Sequence, residues 1–205
     1  APQAVMQRPY VLAASTHNDE EFQFARLLGA MLKHYGYLLV IAPRHPERRV
    51  SILEQLSRLP LKLALRSRND AISQDTDVYL LDSMGELQSW MAGAALVLIG
   101  GSWIPHGGQN ILEPARAGKP SIAGPFMHNF AQETLDLVER KAALQLHSAT
   151  ELIAEVEQLI QQPESIAVMG RAAREFMQTK SDVVECYMQA LQKIPAFKKA
   201  LDDGK

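Results

Sequence analysis

The strongest constraint on the fold is a series of short apolar runs that alternate with helical segments. The two clearest runs, Tyr37–Ala42 and Ala95–Ile99, contain no charged residue. A strand with one solvated face alternates polar and apolar residues, whereas a strand in a parallel sheet covered by helices on both sides is continuously apolar. Because such runs alternate with helical segments, the sequence predicts an α/β fold built on a doubly wound parallel sheet.

The same pattern places seven strands and the helices between them. The 205 residues are enough for one large domain. We predict that domain over residues 10–195, with a linker at 1–9 and a frayed tail at 196–205. After residue 148 the pattern is only helical. The predicted strands are 10–14, 37–42, 62–66, 77–81, 95–99, 120–125 and 142–146, and the last helices are Glu151–Gln161, Ser165–Gln178 and Val183–Ile194.

Polar loops follow the predicted strands at the points where the strands end. Right-handed crossovers bring the carboxyl ends of parallel strands to one rim of the sheet, so these loops should meet there. Their convergence predicts a crevice in which a ligand binds. The converging loops are Ser15–His17, Pro43–His45, Ser83–Glu86, Gly101–Ser102 with Gly107–Asn110, and Gly124–Asn129.

The loop after the fifth strand combines two Gly-Gly pairs, at 100–101 and 107–108, with the start of a short helix. Glycine leaves backbone N–H groups uncovered because it has no Cβ. Asn110 is predicted to cap a helix over Ile111–Ala117, whose N-terminus adds partial positive charge. Glu113, one turn further, can accept hydrogen bonds from sugar hydroxyls. An ordinary βα turn would also use glycine, but two Gly-Gly pairs favour a binding loop for a phosphate.

Arg44 and His45 follow the second buried strand and open a basic segment. Basic residues at a helix N-terminus oppose the helix dipole, so their presence there favours a binding role. The guanidinium of Arg44 and the ring of His45 would donate hydrogen bonds to a phosphate or a carboxylate. The alternative is a solvated basic start of a helix.

Composition and missing motifs exclude several classes of function. The formal net charge of -2 argues against nucleic-acid binding. Such binding depends mainly on attraction between basic side chains and the phosphates, which this charge does not provide. No apolar run approaches the length of about 20 residues that crosses a bilayer. The chain has no Walker lysine, no Gly-x-Ser-x-Gly elbow and no Gly-x-Gly-x-x-Gly after the first strand, which excludes P-loop hydrolases, serine hydrolases and ordinary dinucleotide dehydrogenases. No metal-ligand spacing occurs, so neither metal nor cofactor is expected.

Three motifs together resemble the C-terminal half of the Kdo transferases. These enzymes move 3-deoxy-D-manno-octulosonic acid (Kdo) from CMP-Kdo onto lipid A precursors in Gram-negative bacteria. The resemblance extends from about residue 10 to about residue 191, with the motifs in the order and spacing of the family. The motifs are Pro43–Arg48, Asp82–Leu87, and Gly100–Ser102 with Gly107–Glu113.

The resemblance implies the Rossmann-like C-terminal half of a GT-B glycosyltransferase that is inverting and metal-independent. In the family, the N-terminal domain carries the membrane anchor, the acceptor site and the general base. The resemblance implies that this acceptor domain is absent from residues 1–205, so no catalytic residue is expected here and the fragment alone should bind the donor without turnover. The full-length protein would act at the cytoplasmic face of the inner membrane, and this fragment would be soluble.

The resemblance also implies a role for each motif. Pro43 and Arg44, together with Met84–Glu86, would line the cytidine and phosphate region. Asn110 and the backbone amides at 107–108 would hold the phosphate, and Glu113 would bind the ribose. The loop at 15–17 would lie near the Kdo moiety. The family often has His where Gln109 stands, so no specific role is assigned to that side chain. The predicted substrate-binding residues are Ser15, Thr16, His17, Pro43, Arg44, His45, Met84, Gly85, Glu86, Gly101, Ser102, Gly107, Gly108, Asn110 and Glu113.

Three alternatives remain open at this point. The chain could belong to a GT-B transferase or epimerase that uses a UDP-sugar, which a preference for UMP would reveal. It could be a non-catalytic domain of the same fold that serves as a scaffold or sensor and binds no nucleotide. The helices after Ser148 could also serve chiefly to dock a partner domain, which an exposed apolar stripe on Val183–Ile194 would favour.

Overall fold

One parallel sheet organises the chain. The computed structural model describes residues 8–192, with side chains given for residues 8–180. Within that range seven strands pair in the order β3-β4-β2-β1-β5-β6-β7, and every pairing is parallel. The strands are β1 (Tyr10–Thr16), β2 (Leu38–Pro43), β3 (Leu63–Leu65), β4 (Val78–Leu80), β5 (Leu96–Ile99), β6 (Ser121–Ala123) and β7 (Ala143–Gln145).

Helices cover both faces of this sheet. They are α1 (Glu20–His34), α2 (Arg49–Leu56), α3 (Leu87–Gly93), α4 (Leu112–Arg116), α5 (Ala131–Glu139), α6 (Ala149–Gln161) and α7 (Pro163–Gln192). Alternate strand residues enter two separate cores: Leu12 packs with α3, α4 and α5, whereas Val11 packs with α1, α2 and α6. Burial on both faces explains why every residue of β2 and β5 is buried. The predicted doubly wound sheet is therefore confirmed.

The last helix is longer than the sequence predicts. A break was expected after residue 178, because polar residues separate two apolar segments there, but α7 runs unbroken from Pro163 to Gln192. Gly170 does not interrupt this helix. A Cβ at that position would lie 2.7 Å from the Gly118 carbonyl oxygen, so the glycine permits close packing of α7 on the loop after α4.

Two other helix boundaries differ from prediction. Asp82 and Ser83 are residue types that commonly cap a helix, and the sequence predicts one of them as the cap of α3, yet that helix begins only at Leu87. Asp82 is instead buried and accepts the Ser67 N–H at 2.8 Å. In addition, the sequence predicts that the helix after β2 continues through about Leu59, but α2 ends at Leu56. At Asp82, the bond from Ser67 replaces the cap that the local sequence suggests.

Some predictions lie outside the described residues. These are the tail at 196–205, the linker at 1–9 apart from its last two residues, and the side chains of the predicted segment Val183–Ile194.

Candidate functional site

A cavity of about 140 Å³ lies at the carboxyl ends of β1, β2 and β5, against α3 and α4. Four predicted substrate-binding residues line it: Ser15, Arg44, Asn110 and Glu113. Its apolar lining includes the last residue of β5 and two residues of α3, namely Ile99, Leu87 and Met91. The structure thus brings together residues from three of the loops that the sequence places on this rim.

Arg44 reaches the cavity because its backbone continues the pairing of β1 with β2 beyond a bulge. The register shifts between Ala14 and Thr16, where Ser15 adopts a φ of 55°. The Arg44 N–H then donates to the Thr16 carbonyl at 2.9 Å. Within residues 8–180 Arg44 forms no ion pair. Its exposed guanidinium is therefore available to an anion such as a phosphate.

Glu113 stands in the first turn of α4, where Asn110 helps to orient it. Asn110 Nδ2 lies 3.4 Å from Glu113 Oε1, and Asn110 Oδ1 accepts the Leu112 N–H at 3.1 Å. The prediction that Asn110 caps the helix is wrong by one residue: Ile111 is the cap, and Asn110 forms an Asx turn before it. The Glu113 carboxylate keeps acceptor capacity for ligand hydroxyls.

The glycine loop is held by bonds between its own backbone groups. The Gly108 N–H donates to the Gly101 carbonyl at 2.8 Å, and the Gln109 N–H donates to the Gly100 carbonyl at 3.0 Å. Gly101 and Gly108 have φ values of 65° and 80°, which glycine adopts without strain. The Gly108 amide is thus already bonded inside the loop. Binding of a phosphate by the Gly107 and Gly108 amides stays a prediction.

Two predicted residues are buried beneath the rim rather than facing a ligand. Both Thr16 and Ser102 are 0% exposed. Thr16 Oγ1 donates to Glu21 Oε1 at 3.0 Å. Ser102 Oγ donates to the Ile99 carbonyl at 2.6 Å and accepts the Gly124 N–H at 2.8 Å, which ties the end of β5 to the end of β6. These two side chains support the rim from inside, and a contact of either residue with the substrate stays a prediction.

The loop before α3 does not line the cavity. Met84 is 77% exposed, and Gly85 forms an exposed turn with a φ of 80°. The Glu86 carboxylate pairs with Arg66, with 2.8 Å between Arg66 Nε and Glu86 Oε2. This guanidinium lowers the pKa of Glu86. The side chain of Glu86 is thus already engaged within the protein.

The other predicted residues of the second loop are also outside the cavity. His45 is exposed, and its Nδ1 lies 3.1 Å from the Glu47 carboxylate. Pro43 is buried as the last residue of β2. Of this motif, only Arg44 lines the cavity.

Several lining residues are absent from the predicted site. Gln109 lines the cavity beside Asn110, although no role is assigned to it from the sequence. Met91 is interpreted as core from its helical spacing with Leu87, and both residues also form part of the cavity lining. Spacing of four residues identifies an apolar helix face but does not tell a packed core from the floor of a pocket.

His17 lies at the edge of the site, between two loops. Its Nε2 is 2.8 Å from Gln109 Nε2, and its ring centroid is 3.9 Å from that of His106. The imidazole nitrogen that faces Gln109 acts as an acceptor when the amide donates, which requires that this nitrogen carries no proton. A neutral His17 therefore suits this arrangement.

The environment of His17 also keeps its ring uncharged. Burial is the main cause, and nearby cationic or ionisable groups add to it, so that its pKa falls to about 4. These neighbours are His106, His45, Arg48 and Arg44.

We expect this depressed pKa to make stability depend on pH. Between pH 6.5, the ordinary value of a histidine, and about pH 4, the unfolded chain binds a proton at His17 that the folded chain does not. The unfolding free energy should therefore decrease as the pH is lowered through this window. Denaturant melts of wild type and His17→Gln would show a shallower decline in the variant, and NMR would place the titration of His17 near pH 4. Equal slopes would contradict the assignment; His34→Gln, on an exposed part of α1, is the matched control.

The described residues contain no group of three or more His, Cys, Asp or Glu side chains placed to hold a metal ion. Over the same part of the chain, no helix has the length and apolarity needed to span a bilayer.

Two curated proteins similar in sequence to this chain have the same name. The 3-deoxy-D-manno-octulosonic acid transferase of Haemophilus influenzae is 33% identical over 187 residues, which cover 90% of this chain and 44% of that protein. The enzyme of the same name from Bordetella pertussis is 32% identical over 190 residues, with 90% and 44% covered. The chain thus spans less than half the length of these curated relatives. No protein-family model matches it.

Solved structures agree with these relatives. The crystal structure of the C-terminal CMP-Kdo binding domain of WaaA from Acinetobacter baumannii matches with a TM-score of 0.78 and 32% identity, over 85% of this chain and 92% of that one. Anabaena HepE in complex with UDP-glucose matches with a TM-score of 0.61 and 17% identity, over 98% of this chain and 50% of that one. At this low identity the second match shows a shared fold alone.

Proposed function

Because the chain belongs to the 3-deoxy-D-manno-octulosonic acid transferase family and matches the C-terminal domain of one member, we propose that it binds the donor of a Kdo transferase. The donor is CMP-Kdo, from which the whole enzyme transfers Kdo to a lipid A precursor. The chain has the Rossmann-like fold of the C-terminal half of GT-B glycosyltransferases. It supplies the nucleotide-binding half of the active site.

The observation that carries this proposal is that Arg44 and Glu113 line the same cavity, at the carboxyl ends of the strands. A guanidinium and a carboxylate are the two groups needed to bind a nucleoside monophosphate by its phosphate and its ribose hydroxyls. Asn110 lies between them in the chain and bonds to the Glu113 carboxylate. The position of the cavity is also where open α/β sheets bind their ligands.

The chemistry of the transfer fits a cationic, backbone-lined site. When the bond from Kdo to the phosphate breaks, CMP departs as an anion, and stabilising that charge lowers the barrier. Arg44 is the side chain placed to do so. An inverting transfer then needs one base to remove the proton from the acceptor hydroxyl. We assign that base, the acceptor site and contact with the inner membrane to the part of the relatives that this chain does not span.

Calorimetric titration of the 205-residue chain with CMP, UMP, GMP and AMP tests the proposal. We expect the tightest binding for CMP. Arg44→Ala should weaken CMP binding by roughly tenfold, since a charge-assisted bond contributes about 1.5 kcal/mol or more. Arg58→Ala, on the exposed surface after α2, is the matched control and should bind CMP as the wild type does.

Each other outcome points to a different function. Tightest binding of UMP would favour a UDP-sugar transferase or epimerase. Absence of binding by all four nucleotides would favour a scaffold or sensor domain and contradict the proposal.

A further inference from the structure

Glu20 is a buried carboxylate that joins two loops of the rim. It is 0% exposed, at the first position of α1. Its Oε2 accepts the Gly101 N–H at 2.7 Å and the His17 N–H at 2.9 Å, and its Oε1 accepts the Trp103 N–H at 3.0 Å. An unpaired buried carboxylate is unfavourable, but three hydrogen bonds to its charged form offset part of that penalty.

Only one of these three bonds is local. The N–H of His17 comes from the turn just before the cap of α1 at Asp19, which has no side-chain cap bond of its own. The bonds from Gly101 and Trp103 come from a loop 81 and 83 residues away in sequence. Glu20 therefore fixes the glycine loop against the end of β1.

The glycine loop in turn supports the wall of the cavity. The carbonyls of Gly100 and Gly101 accept the N–H groups of Gln109 and Gly108, and Gln109 lines the cavity next to Asn110. His17 adds a second connection, because its N–H bonds to Glu20 while its ring lies 2.8 Å from the Gln109 amide. Both links lead from Glu20 to Gln109, although Glu20 itself does not line the cavity.

We propose that Glu20 is a positioning residue for nucleotide binding, which it supports by holding the glycine loop and Gln109 in place; this rests on the proposed function. Glutamine cannot replace it. Its amide has one acceptor oxygen and one NH₂ donor, so in either orientation at least one of the backbone N–H groups faces another donor.

Glu21 provides the matched control, because it neighbours Glu20 on α1 and is equally buried. Its carboxylate accepts from Thr16 Oγ1 at 3.0 Å and pairs with Arg48 at 3.1 Å, with no bond to the glycine loop. Glu21→Gln and Glu20→Gln thus both remove a buried charge from the same turn, and only Glu20→Gln disturbs the loop.

The test compares CMP with cytidine, which lacks the phosphate, by NMR titration of the ¹⁵N-labelled 205-residue chain. We expect Glu20→Gln to weaken CMP binding about tenfold, with a change of less than about twofold for cytidine, because the glycine loop holds Gln109 beside Asn110, which is the residue predicted to bind the phosphate. Glu21→Gln should keep the wild-type affinity for CMP. If Glu20 had a purely structural role, Glu20→Gln and Glu21→Gln would have the same effect. Each variant would then lower the affinities for CMP and cytidine equally, or leave both affinities unchanged.

A measurement on the wild type covers the case in which Glu20→Gln does not fold. If the loop contacts and nucleotide binding are coupled, CMP should slow hydrogen exchange of the Gly101 and Trp103 amides by about tenfold or more. Unchanged exchange, or unchanged CMP affinity in Glu20→Gln, would overturn the inference while leaving the proposed function intact. Failure of the wild type to bind CMP would overturn both.

Discussion

Glu113→Ala should weaken CMP binding by about 10- to 100-fold, because a carboxylate that accepts hydrogen bonds from hydroxyls contributes about 1.5–3 kcal/mol. The fold should tolerate the change. Among residues 8–180, this carboxylate accepts one hydrogen bond, the long one from Asn110 at 3.4 Å. Calorimetry with CMP and a thermal melt of the same variant would separate lost affinity from lost stability.

Glu133→Ala is the matched control, since Glu133 also lies in the first turn of a helix, α5, away from the cavity. It should bind CMP like the wild type. A Glu113→Ala variant with wild-type affinity would contradict the assignment of this carboxylate to the ribose. A fall in melting temperature of about 6–12 °C in Glu113→Ala, as large as that expected for Gly100→Ala, would show that Glu113 is structural instead.

Gly100→Ala should destabilise the folded chain by roughly 3 kcal/mol or more, because the added methyl group meets backbone rather than a side chain that could move. Gly100 donates its N–H to the Ala14 carbonyl at 2.8 Å, which brings the two strand ends together. A Cβ at Gly100 would lie 2.6 Å from Thr16 N and closer still to the Ser15 carbonyl. The melting temperature should fall by about 6–12 °C for a domain of this size.

Gly36→Ala separates this clash from the general effect of replacing glycine. Gly36 follows α1 with a φ of 77°, and a Cβ there would have nothing within 4 Å. Its replacement should cost about 1 kcal/mol, from the left-handed backbone alone. Equal melting temperatures for the two variants would mean that the end of β1 and the glycine loop separate easily.

The sheet could be predicted from the sequence because its signal is local. In β2, six consecutive residues are all buried, and that continuous apolar run already specifies a strand covered on both faces. The same reasoning placed Arg44, which directly follows β2, at the rim where the cavity lies. These inferences need only the residues of one strand and the rule that parallel strands end at one edge.

Boundaries and side-chain partners were harder to predict because competing local signals are nearly equal in energy. Asn110 is a residue type that commonly caps a helix, yet its side chain makes an Asx turn and the helix starts later. Both structures satisfy an N–H group near the start of α4, and the surrounding loop selects between them. Glu86 resembled a ligand-binding residue, but no sequence pattern indicated its partner Arg66, 20 residues away.

Buried carboxylates were the feature least accessible to sequence reasoning. Glu20 and Glu21 look like ordinary acidic residues in the first turn of a helix, which the dipole favours. In the structure both are fully buried. What distinguishes Glu20 is its bonds to Gly101 and Trp103, and such long-range pairs leave no periodic pattern in the chain.

The position of β1 in the sheet has a consequence for how the protein is made. β1 pairs with β2 on one side and with β5 on the other, so that Val11 lies opposite both Leu39 and Leu96. During synthesis the first edge is covered early, but the second has no partner until residues 96–99 have left the ribosome. For that interval a largely apolar strand presents an open edge, which is the form of exposed backbone most prone to pair with another chain. Nascent chains stalled before β5 should therefore aggregate more readily than chains stalled just after it.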